Sequence, residues 1–380
     1  MLNPGILKSS LQGEAILKNS HFAVLDGLRG VAALVVLVLH LGQQCNNPGP
    51  SCAHLVVDFF FILSGFVIAF AYEEQLTSGK LRLQAFARIR LVRLYPLFLI
   101  GALGSIAIGA YNFLTKGTAT PTELVIAAVS NLLFLPTIAI ASDASAYPFN
   151  TPSWSLAFEL FINAVYAVIA RWLTTSRLIA ILLLSALAAI WLAEASGTTD
   201  GGHDKMTVSF GFVRVCYPFF AGVLLYRFRP ERSHKPLLAT LLLVGLLLVL
   251  LGNWPYPILS GLFLVLVGFP LLIWLASACN VSGRLAVMCA LLGDLSYPVY
   301  ILQSFVLRIG ETVMRNRILS TVQIQAFLAA EALAVIAFSW LALRYFDIPV
   351  RQFLDARKGA ERKTVLVTPH LAATTGPADA

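Results

Sequence analysis

The chain has 380 residues, of which 58% are hydrophobic and only 12% are charged, and its mean hydropathy is +0.80. A charged share about half that of soluble globular proteins excludes a soluble enzyme, and the apolar content excludes a disordered chain or a fibrous repeat. The composition predicts an all-α polytopic membrane protein with about ten transmembrane helices plus one re-entrant or interfacial segment. Five cysteines are too few for a disulfide scaffold.

Apolar runs separated by polar residues give the predicted spans. In chain order they cover 23–42, 54–72, 94–112, 152–170, 179–194, 208–226, 237–252, 258–278, 286–307 and 322–342. A further apolar stretch, 121–142, is expected to enter and leave the membrane from one side. The transmembrane domain is then 23–350, between a cytoplasmic N-terminal tail, 1–22, and a polar cytoplasmic tail, 351–380, that is expected to be disordered.

The distribution of positive charge predicts the orientation, because positively charged loops resist translocation. With the N-terminus inside and 121–142 not spanning, twenty lysines and arginines fall in inner loops and five in outer loops. The outer residues are Lys116, Lys205, Arg308, Arg315 and Arg317. Both termini are therefore predicted to be cytoplasmic, and the net charge of +8 is explained without a nucleic-acid partner.

The first predicted span, LDGLRGVAALVVLVLHLG, carries three ionisable residues. Asp26 and Arg29 are three residues apart and can pair along one face. Arg29 and His40 are eleven residues apart, which places them about 20° from alignment and roughly 16 Å apart in depth. The helix thus presents a cation near its cytoplasmic end and an imidazole near its outer end. The alternative is that Asp26 and Arg29 form an ion pair at the membrane interface and that His40 lies at the level of the lipid headgroups.

The second predicted span, HLVVDFFFILSGFVIAFAY, places a carboxylate at the depth of His40. His40 and Asp58 lie nearly symmetrically about the turn near Pro48, so antiparallel neighbouring helices bring them to similar depth. A carboxylate beside an imidazole fixes its tautomer and raises its basicity. We therefore expect Asp58 to orient His40 as a general base. Gly65 in the same span is favoured as a small-residue packing position.

An arginine-rich loop, FARIRLVRLYP, precedes the third span. Arg88, Arg90 and Arg93 carry forked guanidinium groups, which suit phosphate recognition. Ordinary positive charge on a cytoplasmic loop is the alternative for such a cluster on its own.

Later segments carry further polar residues at membrane depth. Glu159 follows Ser155 by one helical turn in PSWSLAFELFINAVY, and Arg214 lies in VRVCYPFFAG. Charges at this depth need partners, or mark a site or a pathway. Three aromatic residues of these and later segments have a simpler interpretation as anchors at the membrane interface: Trp154, Tyr297 and Tyr300.

These segments, in this order, resemble the sequence blocks of the membrane-bound acyltransferase family 3. The blocks are LDGLRGVAALVVLVLH, VDFFFILSGFVI, RLVRLYP, PSWSLAFE and GDLSYPVY, and the resemblance covers roughly 22–350. It implies a stand-alone enzyme of the bacterial inner (cytoplasmic) membrane. Such enzymes move an acyl group, usually acetyl, from cytoplasmic acyl-coenzyme A to a hydroxyl of an extracytoplasmic carbohydrate or glycolipid. Acyl-CoA is then a co-substrate, and no tightly bound cofactor or metal is expected.

The resemblance, together with the residue patterns, assigns the candidate site. The predicted catalytic residues are His40, Asp58 and Glu159. The residues predicted to hold coenzyme A are Arg29, Arg90 and Arg93. The predicted substrate-binding residues are Trp154, Ser155 and Tyr297. Two positions depart from the family pattern, because Gln303 stands where a histidine is usual and Asp347 where a glutamate is usual.

Two other classes of protein stay open. A glycolipid transporter or flippase would use Arg29, Glu159 and Arg214 as gating charges, although no internal repeat of the kind common in transporters is visible. A polyprenyl-linked glycosyltransferase is the other class. Thioester hydrolysis by the purified protein discriminates, because neither alternative would show it.

The short loop QQCNNPGPSCA contains two cysteines, and the charge rule places it outside. Cys45 and Cys52 are separated by six residues that favour a tight reversal. An oxidising compartment would allow them to form a disulfide, with two unpaired thiols as the alternative. We expect the disulfide to pin the hairpin above His40.

Overall fold

The structure is a computed structural model that describes residues 22–45, 49–314 and 320–354. These residues form eleven helices and one pair of very short parallel strands. The helices are α1 Ala23–Gln43, α2 Ala53–Thr77, α3 Leu83–Lys116, α4 Pro121–Leu132, α5 Ser153–Trp172, α6 Thr175–Ser196, α7 Phe210–Arg227, α8 Pro236–Leu251, α9 Pro257–Ser277, α10 Gly283–Met314 and α11 Thr321–Leu354. The strands are β1 Ser233–His234 and β2 Cys279–Asn280.

Nine of the helices in the described ranges are long and apolar enough to cross a membrane, and α8 is a shorter apolar helix of the same kind. Together these ten helices fall on the ten predicted spans, so the prediction of an all-α polytopic membrane protein is confirmed. The last helix continues to Leu354. The predicted tail 351–380 therefore begins inside this helix, whereas residues 1–21 and 355–380 lie outside the described ranges.

The segment 121–142 does not form a spanning helix. Thr120 caps α4 in a reciprocal arrangement with Glu123, and the helix ends after 12 residues. At 1.5 Å per residue it is about 18 Å long, well short of the ~30 Å hydrocarbon layer. The Ser142 hydroxyl donates to the Thr118 carbonyl oxygen at 2.8 Å, which brings the two ends of the segment together. This geometry agrees with entry and exit on one side.

The direction of α10 relative to α1 supports the same topology. Gly30 of α1 packs against the backbone of Leu292, and the Gln44 amide after α1 donates to the Leu307 carbonyl oxygen at 3.1 Å. The two helices therefore run parallel, as the first and ninth crossings must. If α4 crossed the membrane as well, α10 would be the tenth crossing and would run antiparallel to α1.

Reporter fusions at Gly117 and Ala144 are expected to report the same, extracytoplasmic side. Both positions flank the segment whose ends the hydrogen bond between Ser142 and Thr118 joins. Alkaline phosphatase and green fluorescent protein fusions at each position measure this directly. Opposite readings at the two positions would make the segment a full span and would reverse every later helix.

Helices α2 and α7 approach closely enough that their backbones touch. A Cβ atom on Gly65 would lie 1.9 Å from the Phe219 carbonyl oxygen, and one on Gly222 would lie 2.0 Å from the Ile62 carbonyl oxygen. The expectation that Gly65 is a packing residue is confirmed. The crossing brings α7 against the face of α2 that carries Asp58.

The predicted disulfide is wrong. Cys45 and Cys52 are both free thiols in the structure. Cys52 is fully buried in the apolar core at the start of α2, whereas Cys45 is half-buried just after α1. Burial raises the pKa of the Cys52 thiol, which disfavours the thiolate that disulfide formation requires.

Candidate active site

A cavity of about 220 Å³ lies between α1, α2, α3, α5, α10 and α11. Six of the nine residues predicted to form the site line it: Arg29, Arg90, Arg93, Ser155, Glu159 and Tyr297. The cavity occupies the half of the bundle near the start of α1, which the charge distribution predicts to be cytoplasmic. Residues separated by more than 250 positions in the chain thus meet around one space.

Arg29 is held at the wall of this cavity by several hydrogen bonds. Its guanidinium group pairs with the Asp26 carboxylate at 2.9 Å. It also donates to the Ser296 hydroxyl at 2.8 Å and to the Gly293 carbonyl oxygen at 3.0 Å. The predicted pairing of Asp26 with Arg29 is confirmed, and α10 fixes the direction of the guanidinium group.

Arg90 and Glu159 form an ion pair inside the cavity. The Arg90 Nη2 and the Glu159 Oε1 are 2.8 Å apart, and the Ser64 hydroxyl donates to the same oxygen at 2.8 Å. The Arg90 side chain is buried, and its Nε atom has no hydrogen-bond partner in the described structure. The ion pair thus leaves one unpaired donor on a buried arginine that lines the cavity. The predicted catalytic role of Glu159 stays a prediction.

Arg93 is exposed and lines the cavity, and it forms no ion pair with any residue in the described ranges. Arg351, near the end of α11, lines the same cavity and pairs with the fully buried Asp347. Arg351 was predicted from the sequence only as a cytoplasmic charge and not as a cavity residue. Its position one turn after Asp347 was the signal that could have found it.

Tyr300 lines the end of the cavity that is furthest from the start of α1. It was not predicted from the sequence as a site residue. Its hydroxyl oxygen lies 2.7 Å from the Ser155 hydroxyl oxygen, and both side chains are buried. The Tyr300 ring packs edge-on against Phe60 with ring centroids 5.5 Å apart. Tyr300 lies one turn after Tyr297 in LLGDLSYPVYILQ, and this position did not distinguish it from an interfacial aromatic residue.

Asp58 has a different partner from the predicted one. Both carboxylate oxygens accept hydrogen bonds from Arg214, with distances between 2.8 and 3.2 Å. His40 instead has its Nδ1 atom 2.9 Å from the Gln43 side-chain oxygen. The predicted hydrogen bond between Asp58 and His40 is therefore wrong. The close crossing of α2 and α7 offers Asp58 a permanent cation, and a forked, charge-assisted pair is stronger than a bond to a neutral imidazole.

Arg214 connects this buried pair to the loop between α6 and α7. It donates to Asp200 at 3.0 Å, to the Gly201 carbonyl oxygen at 2.8 Å and to the His54 carbonyl oxygen at 3.0 Å. Although burial acts in the opposite direction, the Arg214 guanidinium lowers the pKa of Asp200 to about 2. The carboxylate is thus ionised at neutral pH, and the cluster ties the outer loop to α2.

Trp154 packs on this ion-pair cluster and does not line the cavity. Its ring lies 5.3 Å from the Arg214 guanidinium carbon and 6.1 Å from the His203 ring, and only 6% of the residue is exposed. Its predicted contact with substrate has no support in this geometry. His40 does not line the cavity either, and its role as the base stays a prediction.

Gln303 lies one turn beyond Tyr300 on α10. It is fully buried, and its amide nitrogen donates to the Tyr300 carbonyl oxygen at 3.0 Å. Its side-chain oxygen has no hydrogen-bond partner in the described structure. The structure thus gives Gln303 a packing role beside Tyr300.

The fold and the cavity together define a polytopic membrane protein with an arginine-lined internal site. The family model described as an acyltransferase domain, Acyl_transf_3, matches residues 22–344. The chain belongs to this acyltransferase family, and it is an enzyme that transfers an acyl group. This membership decides against the transporter and glycosyltransferase alternatives.

Three curated relatives illustrate the similarity. Protein 2 in picA locus of Rhizobium radiobacter is 37% identical over 185 residues, which cover 46% of this chain and 94% of that protein. Acyltransferase MdmB of Streptomyces mycarofaciens is 34% identical over 39% of this chain, and O-acetyltransferase OatA of Staphylococcus aureus is 24% identical over 90% of it. The matched regions span 38% of MdmB and 60% of OatA. No solved structure matches this chain.

Proposed function

We propose that the chain is an integral membrane O-acyltransferase that moves an acyl group from cytoplasmic acyl-CoA to a hydroxyl of an extracytoplasmic carbohydrate. The observation that carries the proposal is the convergence of four arginine side chains on one cavity at membrane depth. They are Arg29, Arg90, Arg93 and Arg351. A relative named as an O-acetyltransferase, similar over most of this chain, makes acetyl the group we favour.

The cavity fits a donor with an anionic head and a long, weakly polar arm. Arg93 and the free donor of Arg90 are available to phosphate oxygens, and guanidinium forks match phosphate geometry. Beyond the arginines the walls are apolar, with Val57, Phe60 and Phe61 among them. We place the phosphates of acyl-CoA at the arginines and the thioester near Tyr300.

The acceptor reaches the thioester from the opposite face of the membrane in this proposal. Gly30 of α1 packs against the Leu292 backbone of α10, so Tyr300, eight residues further along α10, lies at nearly the same depth as Val38. His40 is two residues further along α1, about 3 Å further out. His40 removes the proton from the acceptor hydroxyl, and the resulting alkoxide attacks the thioester carbonyl carbon.

Replacement of Arg93 by alanine is expected to raise the KM for acetyl-CoA about tenfold to a hundredfold, because a hydrogen bond to a charged group contributes about 1.5–3 kcal/mol. The kcat and the KM for the acceptor should stay nearly unchanged, since the lost interaction binds substrate and transition state alike. Steady-state kinetics with acetyl-CoA varied at saturating acceptor measure the effect.

The matched control is Arg88→Ala. Arg88 is exposed on the same helix but does not line the cavity, so its removal takes away the same charge without touching the proposed site. Equal effects of the two substitutions on the KM for acetyl-CoA would indicate that these arginines act only as the ordinary positive charge of a cytoplasmic loop. An unchanged acetyl-CoA affinity in Arg93→Ala would contradict the proposed placement of the phosphates.

A thioester assay tests the proposed donor itself. The purified protein in detergent should consume acetyl-CoA and release free coenzyme A slowly, because acyltransferases leak acyl groups to water. The expected release rises when a carbohydrate acceptor is added. A protein that neither binds nor consumes acetyl-CoA would contradict the proposed donor.

A further inference from the structure

Tyr300 and Ser155 both line the cavity at the end furthest from the start of α1, and Ser155 is the side-chain partner of the Tyr300 hydroxyl group. The two oxygen atoms are 2.7 Å apart. The edge-on contact with Phe60, 5.5 Å between centroids, restricts rotation of the Tyr300 ring. The group is therefore a hydrogen-bonding side chain held at a fixed place in an apolar wall.

The hydrogen-bond directions around Ser155 follow from its neighbours. The Ser155 hydroxyl donates its one proton to the Pro152 carbonyl oxygen at 3.0 Å. Ser155 then accepts from Tyr300, so the Tyr300 proton points at Ser155 while the cavity is empty of substrate. A ligand oxygen at this end of the cavity can take this proton without breaking the bond between Ser155 and Pro152.

The other donors near this point are committed or do not line the cavity. Tyr297 donates to the Leu94 carbonyl oxygen, and Gln303, which does not line the cavity, donates one of its two amide protons to the Tyr300 carbonyl oxygen. Arg29 donates to Ser296 and Gly293, a turn or more nearer to the start of α10. Within the described ranges, Tyr300 is thus the donor best placed for a ligand atom beyond the arginines.

We propose that Tyr300 donates its hydrogen bond to the thioester carbonyl oxygen of the acyl donor and stabilises the oxyanion that forms there. This inference rests on the proposed function. Ser155 is a positioning residue, because it holds the Tyr300 hydroxyl in place before the donor binds. A fixed donor aimed at developing charge in a water-poor site is the arrangement that lowers the barrier of acyl transfer.

The acceptor hydroxyl gives its proton to His40, and its oxygen forms a bond to the carbonyl carbon while the carbonyl π electrons move to the oxygen held by Tyr300. The carbonyl then re-forms and the carbon–sulfur bond breaks. The sulfur leaves as the coenzyme A thiolate, which takes the proton from His40.

The test compares Tyr300→Phe with the wild-type enzyme. Loss of one oxyanion donor is expected to lower kcat by about 10²–10³-fold. The KM for acetyl-CoA should change by less than about threefold, because the phosphates and the arm of the donor keep their contacts. Ser155→Ala should lower kcat by no more than about tenfold, since it removes the positioning contact and leaves the donor.

The control is Tyr217→Phe, which removes a tyrosine hydroxyl that donates to the Leu266 carbonyl oxygen at 2.7 Å, away from the cavity. It should retain wild-type kcat. A second readout does not depend on turnover: a ketone analogue of acetyl-CoA with a ¹³C-labelled carbonyl should show a lower stretching frequency bound to wild type than bound to Tyr300→Phe.

Two results would overturn the inference alone, with the wild-type enzyme active. One is an unchanged kcat and an unchanged carbonyl frequency in Tyr300→Phe. The other is an acyl group found on Ser155 by mass spectrometry, which would make Ser155 a nucleophile. A wild-type protein that does not bind acetyl-CoA would overturn the proposed function, and this inference with it.

Discussion

Replacement of His40 by alanine is expected to abolish acyl transfer while leaving donor binding intact. His40 lies at the outer end of α1, about 3 Å in depth beyond Tyr300, and does not line the arginine cavity. Removal of a general base lowers the rate by about 10²–10⁴-fold. Transfer assays should therefore fall to background, while the affinity for a non-hydrolysable acetyl-CoA analogue stays at the wild-type value.

Two further variants make this result specific. Gln43→Ala removes the oxygen that lies 2.9 Å from the His40 Nδ1, and its effect on kcat should be smaller than that of His40→Ala. The control is His234→Ala, because His234 is exposed in β1 and lies outside the cavity. Full transfer activity in His40→Ala would show that His40 is not the general base.

Replacement of Asp58 by alanine is expected to cause the largest loss of stability among the site variants. Asp58 is almost fully buried and both of its oxygens accept from Arg214. Removing one partner of a buried ion pair costs about 3–5 kcal/mol, because the remaining charge stays in a low-dielectric interior. Asp200 also pairs with Arg214, which places the expected loss near the lower end of that range.

Thermal unfolding in detergent, followed by intrinsic tryptophan fluorescence, measures this loss. Glu74→Ala is the matched control, because Glu74 is an exposed carboxylate on the same helix, and its Tm should stay within about a degree of the wild type. If Asp58 acted by orienting His40, the substitution would lower kcat at an unchanged Tm. That combination would contradict the structural role that the Arg214 contacts indicate.

Much of the fold follows from the sequence by simple physical rules. The hydrocarbon layer sets the length of an apolar run, so the spans were predicted at their observed places. The distribution of lysines and arginines predicted that 121–142 does not cross the membrane, but it did not predict the short helix α4 within this segment. Boundaries differ where helices extend beyond the hydrocarbon, as α3 does by starting at Leu83 and α11 by reaching Leu354.

The site was predicted in part. The arginine-rich sequence and the family blocks predicted three of the residues that line the cavity, Arg29, Arg90 and Arg93. The partner of Asp58 was not predictable, because a sequence gives the depth of a side chain but not which neighbouring helix it faces. Arg214 is 156 positions from Asp58 and reaches it through the glycine crossing of α2 and α7.

Tyr300 and the cysteine pair illustrate the same limit. The proposed role of Tyr300 depends on a contact of its hydroxyl group with Ser155, 145 positions away. The predicted disulfide rested on loop length and turn-forming residues. The apolar core takes up Cys52 instead, since burial of a thiol among hydrophobic side chains needs no covalent partner.

A structure of the protein bound to a ketone analogue of acetyl-CoA would test where the acyl donor binds. We predict density that runs from phosphates in contact with Arg90 and Arg93 to a carbonyl oxygen within hydrogen-bonding distance of the Tyr300 hydroxyl. The bound arm should fill the cavity between α1, α3 and α10. A saturated complex in which the analogue lies elsewhere and this cavity stays empty would contradict the account.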